Sequence, residues 1–293
     1  QNKQIEDMVT KGAKAIVVGS VTEAAAQAVE SAKKAGVPVI SYDRLITGTD
    51  AYDYYLTFDN FKVGQLRGQA IKEALALDTS KGKNITLFAG LPTDNNARFF
   101  FDGAMDVLKP FVTSGALKIC GPAPTNSADA TWSKITTEGW AADKAKARME
   151  TLLSGACKSV KLDAVLAPND TLARSIIGAL EQDGKYKTLP VITGQDGELL
   201  SAKWIMEGKQ TMTVFKDTRV LAKGTAEAVN SIVKGGEPTL TVKARVDTTT
   251  YNTGKKVVKS FLLEPVAVTK ANLTKELVES GFYTADAVAK GTK

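Results

Sequence analysis

The sequence has 293 residues and contains no histidine and only two cysteines, Cys120 and Cys157. Without histidine, the chain lacks the commonest general base and the commonest metal ligand. Two cysteines so far apart are too few for a metal knuckle. They are compatible with one disulfide in an oxidising compartment or with two buried free thiols, and the sequence leaves both open. We therefore expect no metal site and no bound cofactor.

Long apolar runs, flexible linkers and clustered charge are also missing. No hydrophobic stretch reaches the ~18 residues that a membrane helix needs. The net charge is +6, but the lysines are spread along helices, as in "ESAKKAG" and "ADKAKARME". A solvated lysine-rich surface explains this pattern better than binding to nucleic acid does. The length predicts about two domains of ~150 residues.

What is present is a repeating unit of a short apolar segment followed by an amphipathic helix. Segments such as 84–90 and 162–168 are apolar without alternation, which indicates strands buried on both faces of a parallel sheet. Glycines at the ends of the helical segments, such as Gly184 and Gly208, are typical of helix C-termini. The pattern predicts an α/β protein with doubly wound parallel sheets.

Polar side chains follow five of the predicted strands. In parallel α/β proteins this edge of the sheet is where ligands bind. Each group pairs a carboxylate with an amide or a cation: Asp43 and Arg44; Thr93, Asp94, Asn95 and Asn96; Asn169 and Asp170; Gln195 and Asp196; Lys216 and Asp217. Such mixed donors and acceptors match the hydroxyls of a sugar, whereas a phosphate would call for donors only. Trp132 and Trp140 are candidates to stack on a sugar ring.

A structural interpretation of the same residues remains open. Asp and Asn at the end of a strand often cap the next helix by accepting a backbone N–H bond. Any one of these side chains fits that role, but five coincident polar junctions are harder to explain by capping alone. Trp204 and most of the "FFF" run at 99–101 are expected to pack in the core.

Several motifs in fixed order resemble a known family. The motifs "YDRLITG", "YLTFDNFKVG", "TDNNARFFFDGAM", "APND", "VITGQD" and "TMTVFKDTR", with the ending "LLEPVAVTKANLTKELVESGFY", closely resemble the xylose- and multiple-sugar-binding proteins of bacterial ABC importers. These are type I periplasmic binding proteins. The resemblance implies two lobes joined by a three-crossing hinge, closing on a monosaccharide such as xylose, glucose, galactose or arabinose. It implies an N-terminal lobe of residues 1–89 plus 217–258 and a C-terminal lobe of 90–216 plus 259–293.

The resemblance also implies a ligand-binding set and a partner. The sugar-contacting positions of the family fall here on Asp43, Arg44, Asp94, Asn96, Trp140, Asn169, Asp196 and Lys216. The partner would be a membrane permease that receives the sugar from a monomeric binding protein. The protein would be exported, and either periplasmic or lipid-anchored outside the cytoplasmic membrane.

The chain departs from the family at its start. Members of the family begin with a strand, a helix and a second strand before the segment that matches "QNKQIEDMV". We expect the N-terminal lobe to lack these elements and to leave unpaired backbone groups at the gap. The hypothesis is that the native protein, or another chain, supplies the missing segment. A native protein with its N-terminus at Gln1, found by mass spectrometry, would argue against it.

Two other functions deserve comparison. The inducer-binding core of a lactose-repressor-type regulator shares the fold, but the "DNNA", "GQD" and "FKD" motifs resemble the transport branch. A glycoside hydrolase would need paired carboxylates with one raised pKa. Amides and cations beside each carboxylate are expected to keep these groups ionised. We therefore predict a binding protein and not an enzyme.

Overall fold

The computed structural model describes residues 1–22 and 24–292. Its helices are α1 (Asn2–Thr10), α2 (Ala25–Lys34), α3 (Asn60–Ala74), α4 (Asn95–Thr113), α5 (Ala142–Ser154), α6 (Asp170–Asp183), α7 (Leu199–Glu207), α8 (Thr218–Val233) and α9 (Ala285–Lys290). Its strands are β1 (Ile16–Val18), β2 (Val39–Tyr42), β3 (Tyr54–Phe58), β4 (Lys83–Leu87), β5 (Leu117–Ile119), β6 (Ala164–Leu166), β7 (Val191–Ile192), β8 (Met212–Phe215), β9 (Ala244–Asp247), β10 (Lys259–Leu263) and β11 (Val266–Thr269). None of the helices in these residues combines the length and hydrophobicity needed to cross a membrane.

The chain divides into two units. Unit 1 comprises Gln1–Asp59, Thr93–Asn96 and Asp217–Glu264, and unit 2 comprises Asn60–Pro92, Ala97–Lys216 and Pro265–Lys293. The final residue of the predicted segment 259–293 lies outside the described residues. Each unit contains a parallel sheet, so the predicted α/β class is confirmed.

Unit 1 contains a five-stranded sheet in the order β1-β2-β3-β10-β9. The pairs from β1 to β10 are parallel, and β9 is antiparallel to β10. The core includes Ile40, Leu56 and Phe261 from the strands and Leu221 from α8. In the described chain, β1 pairs only with β2 and therefore forms an edge of the sheet.

Unit 2 contains a parallel four-stranded sheet in the order β5-β4-β6-β7 and an antiparallel pair of β11 with β8. A parallel bridge between Gln195 and Val214 connects the segment after β7 to β8. All three residues of β6 are buried, as its unbroken apolar sequence predicts. Helices α6 and α7 end at Gly184 and Gly208, both left-handed, which is the conformation glycine adopts most easily.

The unit boundaries differ from the expected lobes at three places. Residues 60–89 group with unit 2, residues 259–264 group with unit 1, and residues 93–96 also group with unit 1. The physical reason for the first difference is the packing of α3, whose Val63 lies in a cluster with Phe100, Met212 and Val214. The second follows from the pairing of β10 with β3. The hydrophobic periodicity of a helix shows which face is buried but not against which sheet.

The two cysteines lie in unit 2 and form a disulfide. The Cα atoms of Cys120 and Cys157 are 5.8 Å apart. Cys120 follows β5 and Cys157 follows α5, so the bond joins the end of a strand to the end of a helix. Both side chains lie in the cluster that also contains Met149, Leu152 and Ile176. The alternative that the sequence left open is thereby resolved in favour of the disulfide.

Candidate functional site

In unit 1, the end of β2 turns at Asp43, which adopts a left-handed backbone conformation with φ of 61°. Its carbonyl oxygen accepts hydrogen bonds from three side chains: Tyr55 Oη at 2.6 Å, Thr57 Oγ1 at 2.9 Å and Asn96 Nδ2 at 2.9 Å. Two of these donors lie on β3, and the third lies at the start of α4. One backbone carbonyl thus fixes three segments of unit 1 at the strand end.

The polar junction "TDNN" caps α4. Asp94 Oδ1 accepts the backbone N–H of Asn96 at 2.9 Å, the bond that an N-cap makes with the second residue of a helix. Asp94 Oδ2 pairs with Arg44 Nε at 3.1 Å. The Asn96 oxygen lies 3.1 Å from Tyr55 Oη. The structure therefore brings together the four residues predicted in unit 1, Asp43, Arg44, Asp94 and Asn96. Each of them also takes part in hydrogen bonds or ion pairs within unit 1.

In unit 2, Asn169 caps α6. Its Oδ1 accepts the backbone N–H of Leu172 at 2.9 Å. Its Nδ2 has no hydrogen-bond partner among the described residues, so this group remains available as a donor. The capping interpretation is correct for the oxygen of Asn169, and it leaves the binding interpretation open for the nitrogen.

Asp196 and Lys216 form the second predicted pair in unit 2. Asp196 Oδ1 lies 2.9 Å from Lys216 Nζ, and the side chains are 35% and 12% exposed. The Lys216 ammonium also lies 5.3 Å from the centroid of the Phe100 ring, within the range of a cation–π contact. The backbone N–H of Asp196 donates to Val214 O at 2.9 Å. A carboxylate and an ammonium held side by side present both an acceptor and a donor.

The two tryptophans predicted for stacking differ. Trp132 is buried in the core with 3% exposure, so its prediction as a stacking candidate is wrong: its indole packs in a cluster with Leu87 and Phe101. Trp140 is only partly buried and lies against Gly90, where an added Cβ would stand 2.0 Å from the indole. It has a left-handed φ of 54°. Trp204 is partly buried against a core cluster, as expected.

Backbone strain concentrates at the predicted site residues. In the described chain, four residues other than glycine have a positive φ: Asp43, Ala76, Trp140 and Asp196. Three of them belong to the predicted ligand-binding set. Such conformations cost of order 1 kcal/mol or more in a residue with a Cβ, and they cluster at functional sites. Sequence alone gave no signal of this strain.

A buried cation, Arg67, contacts the backbone directly before Asn169 in unit 2. Its guanidinium donates to the carbonyl oxygens of Ala167 at 3.2 Å, Pro168 at 2.9 Å and Phe100 at 2.8 Å. No carboxylate of the described residues lies within ion-pair distance of it. Burial lowers the pKa of Arg67 to about 9, and the Asp196 carboxylate opposes this shift. Sequence reasoning missed Arg67, which lies on a helix and not at a strand end.

Two glycines beside Arg67 let α3 approach α4 closely. A Cβ at Gly64 would lie 2.3 Å from Phe100 O, and one at Gly68 would lie 2.8 Å from Ala104 O. The motif "VGQLRGQ" therefore carries a readable signal, because glycines at positions i and i+4 of a helix mark a close helix contact and an arginine between them is unusual. The close contact lets Arg67 reach the carbonyl of Phe100 on α4.

Asp170 is a second buried ionisable group and departs from the expectation that the strand-end carboxylates stay ionised. Burial, with a smaller contribution from the Asp196 carboxylate, raises its pKa to about 8. Hydrogen bonds from Gln210, from the backbone of Glu198 and from Thr213 oppose this shift. A raised carboxyl pKa is what an acid catalyst needs, but Asp170 has 0% exposure and cannot touch a substrate.

No group of three or more carboxylates or thiols is arranged to hold a metal ion in residues 1–22 and 24–292. Both cysteine sulfurs are joined in the disulfide. The remaining polar groups at the strand ends are amides, half-buried ion pairs and an indole. This set can form hydrogen bonds and stack on a ring.

Comparisons with known proteins agree with this chemistry. Residues 1–237 match the family model described as a periplasmic binding protein domain. The chain is 46% identical to the multiple sugar-binding periplasmic receptor ChvE of Rhizobium radiobacter, over 98% of this chain and 79% of the relative. It is 37% identical to the D-xylose-binding periplasmic protein of Escherichia coli, over 97% of this chain and 78% of the relative.

Solved structures give the same result. An ABC transporter solute-binding protein from Clostridium phytofermentans with bound β-D-glucose matches with a TM-score of 0.88 and 41% identity, covering 98% of this chain and 86% of that one. A carbohydrate transporter solute-binding protein from Chloroflexus aurantiacus in complex with D-glucose matches with a TM-score of 0.87 and 36% identity, covering 98% and 84%. The family resemblance that the sequence motifs indicated is therefore confirmed.

Proposed function

The chain belongs to the periplasmic binding protein family, and from this premise we propose that it is the sugar-binding component of a bacterial ABC importer with a monosaccharide as its ligand. The observation that carries the proposal is the match to two glucose-bound solute-binding proteins over 98% of the chain. Xylose is a second candidate, because a D-xylose-binding protein is 37% identical to the chain. The relatives are transport proteins and not enzymes.

The chemistry of the two clusters supports a sugar ligand. The unit 1 residues Asp43, Arg44, Asp94 and Asn96 and the unit 2 residues Trp140, Asn169, Asp196 and Lys216 supply acceptors, donors and one aromatic face. A pyranose needs all three, because its hydroxyls donate and accept while the C–H face of its ring is apolar. Neither cluster offers the row of donors that a phosphate would require.

Export to an oxidising compartment is part of the proposal. The relatives ChvE and the D-xylose-binding protein are named periplasmic. A disulfide between Cys120 and Cys157 fits the same location, because disulfides persist outside the reducing cytosol. We further propose that the loaded protein delivers its sugar to a membrane permease and acts as a monomer. A lipid anchor is an alternative means of retention that membrane fractionation of the native protein would test.

A panel titration tests the ligand class. All three tryptophans, Trp132, Trp140 and Trp204, lie in unit 2, so their fluorescence reports on that unit. We expect saturable changes with xylose or glucose, and the ranking across xylose, glucose, galactose, arabinose and ribose would identify the preferred sugar. A flat response in fluorescence and in calorimetry across the panel would contradict the proposal.

The binding residues are tested by single substitutions. Asp196→Ala and Asn169→Ala are each expected to raise the Kd for the preferred sugar at least about tenfold, because an unpaired buried polar group costs ~1–3 kcal/mol and ~1.4 kcal/mol is a factor of ten. Trp140→Ala is expected to weaken binding through lost ring contact. Asp143, an exposed carboxylate in the first turn of α5, provides the control Asp143→Ala. Unchanged Kd values for both Asp196→Ala and Asn169→Ala would remove these residues from the site.

A further inference from the structure

Asp170 is the one fully buried carboxylate next to the predicted site, and the sugar-binding chemistry does not use it. It is the first residue of α6 and directly follows Asn169. Its side chain accepts three hydrogen bonds: Gln210 Nε2 donates at 2.7 Å, the backbone N–H of Glu198 at 2.8 Å and Thr213 Oγ1 at 2.9 Å. The three donors come from two segments of unit 2, the loop after β7 and the segment 210–213 that enters β8.

These two segments lead to two of the predicted binding residues of unit 2, Asp196 and Lys216. Glu198 lies two residues after Asp196, and Thr213 lies on β8, three residues before Lys216. The backbone N–H of Asp170 itself donates to Gln195 O at 3.0 Å. Asp170 is therefore bonded to the loop that bears Asp196 and to the strand that leads to Lys216.

The hydrogen bonds continue beyond the carboxylate into the same loop. The backbone N–H of Gly197 donates to Thr213 Oγ1 at 3.1 Å. The Thr213 hydroxyl accepts from Gly197 and donates its own proton to Asp170. The two bonds form a chain from the loop through β8 to the carboxylate. Loss of the carboxylate would remove the acceptor at the end of this chain.

Packing fixes the loop as closely as hydrogen bonding does. A Cβ at Gly194 would lie 2.1 Å from Asp170 Oδ1 and 2.3 Å from Gln210 Nε2, so only glycine fits where the loop leaves β7. The loop then holds Asp196 at φ of 94°, a conformation that a residue with a Cβ rarely adopts without external restraint. The bonds to Asp170 and the bond from the Asp196 N–H to Val214 O provide that restraint.

We propose that Asp170 is a positioning residue, which never contacts the ligand but holds the loop 194–198 and β8 so that Asp196 and Lys216 are directed for sugar binding. The expected effect of Asp170 on sugar affinity rests on the proposed function. Its expected effect on the loop 194–198 does not depend on any ligand, so affinity and loop order can be measured separately.

The test compares Asp170→Ala with two other variants. Asp170→Ala is expected to raise the Kd for the sugar at least about tenfold and to speed amide hydrogen exchange at Gly197 and Glu198, whose N–H groups lose their acceptors directly or through Thr213. Asn169→Ser removes the Nδ2 donor of a binding residue but keeps the cap of α6 and the network, and Asp143→Ala removes a helix N-terminal carboxylate elsewhere. Neither is expected to change exchange at these two amides.

A conservative variant separates positioning from bulk destabilisation. Asp170→Asn keeps the shape and one oxygen, which accepts from Glu198 and Thr213, while its amide nitrogen faces Gln210. The Gln210 oxygen is buried without a partner in the described residues, so a rotated Gln210 amide can accept from the new nitrogen. We expect Asp170→Asn to bind sugar within about threefold of the parent. Thr213→Val, which removes a single link, is expected to give an intermediate loss.

Each result bears on the proposal. Faster exchange at Gly197 and Glu198 with weaker binding in Asp170→Ala, and recovery in Asp170→Asn, would support it. Unchanged Kd in Asp170→Ala while Asn169→Ala weakens binding would overturn it and leave the proposed function intact. If Asn169→Ala also had no effect, the assigned site would fail, and unchanged exchange would then overturn the positioning role as well. If Asp170→Ala did not fold, unaltered binding and exchange in Thr213→Val would overturn the proposal.

Discussion

The two units hold their predicted binding residues by different means. In unit 1, three neutral side chains converge on one backbone carbonyl, that of Asp43. In unit 2, two fully buried ionisable groups, Arg67 and Asp170, form hydrogen bonds to the segments that follow the strands. Neutral hydrogen bonds respond little to pH, whereas a buried charge makes stability depend on protonation. The two units therefore position their predicted binding residues with different sensitivity to pH, and this difference can be tested.

The largest expected effect is the pH dependence that Asp170 gives to unit 2. Folding raises the pKa of Asp170 from 3.8 to about 8, so the folded state binds this proton more tightly than the unfolded state. The contribution of Asp170 to the free energy of unfolding is therefore fully present below about pH 4 and is lost as pH rises to about 8. At ~1.4 kcal/mol per pKa unit, the full loss is about 6 kcal/mol.

Urea unfolding at pH 5 and pH 9, followed by tryptophan fluorescence, measures this effect. Asp170→Asn cannot ionise, and its stability relative to the parent is expected to increase by about 4 kcal/mol between the two pH values, because about three pKa units of the loss lie above pH 5. Asp143→Asn serves as the exposed control and should follow the parent. An identical pH dependence in Asp170→Asn and the parent would show that Asp170 does not titrate in this range.

The second effect is the response of unit 2 to reduction. Unit 1 has no cysteine, and the disulfide in unit 2 joins residues 37 positions apart. Opening a loop of this length is expected to cost about 4 kcal/mol in the chain-entropy description. The double variant Cys120→Ser/Cys157→Ser, or reductant added to the parent, should lower the tryptophan-detected unfolding midpoint. Reductant should leave the double variant unchanged, and an equal midpoint for parent and variant would contradict the prediction.

The third effect concerns unit 1 and is smaller. Asn96→Ala removes one of three donors to the Asp43 carbonyl and is expected to lower the stability of unit 1 by about 1–2 kcal/mol. Because unit 1 contains no tryptophan, hydrogen exchange of peptides covering residues 39–58 is the measurement. Asn95→Ala changes the neighbouring residue and provides the matched control. Faster exchange in both variants alike would show that the Asn96 amide is not the cause.

The smallest effect separates capping from binding at Asn169. Serine caps helices about as well as asparagine, so Asn169→Ser is expected to change the free energy of unfolding by less than ~0.5 kcal/mol. Serine does not place a donor where the Asn169 Nδ2 lies, so the Kd for the sugar should still rise several-fold. Equal affinity for Asn169→Ser and the parent would mean that Asn169 acts only as a cap.

Much of this arrangement is predictable from the sequence because it follows from periodicity. Unbroken apolar segments such as β6 identified parallel strands, and the strand-end rule located the polar groups now seen at Asp43, Asp94, Asn169 and Asp196. The motifs identified the family. These features are local, and a single chain segment carries each of them.

The remaining features are set by tertiary packing and were not predictable. The position of α3 in unit 2 depends on which sheet its buried face contacts, and Trp132 and Trp140 occupy one connection with opposite degrees of burial. The role of Arg67 requires two helices to approach closely, which Gly64 and Gly68 allow but do not specify. Asp170 was visible as a strand-end carboxylate, but its raised pKa depends on burial by segments up to 43 residues away.

The left-handed residues at the site have a consequence for engineering. Asp43, Trp140 and Asp196 are held in a conformation that glycine adopts without a penalty. A glycine at Asp43 or Asp196 would relieve the strain of the folded state, although it would also gain freedom in the unfolded chain. Thermostability screens carried out without a sugar would then favour variants that have lost recognition. Any attempt to raise the thermal stability of this protein for use as a biosensor should therefore select for ligand response and melting temperature together.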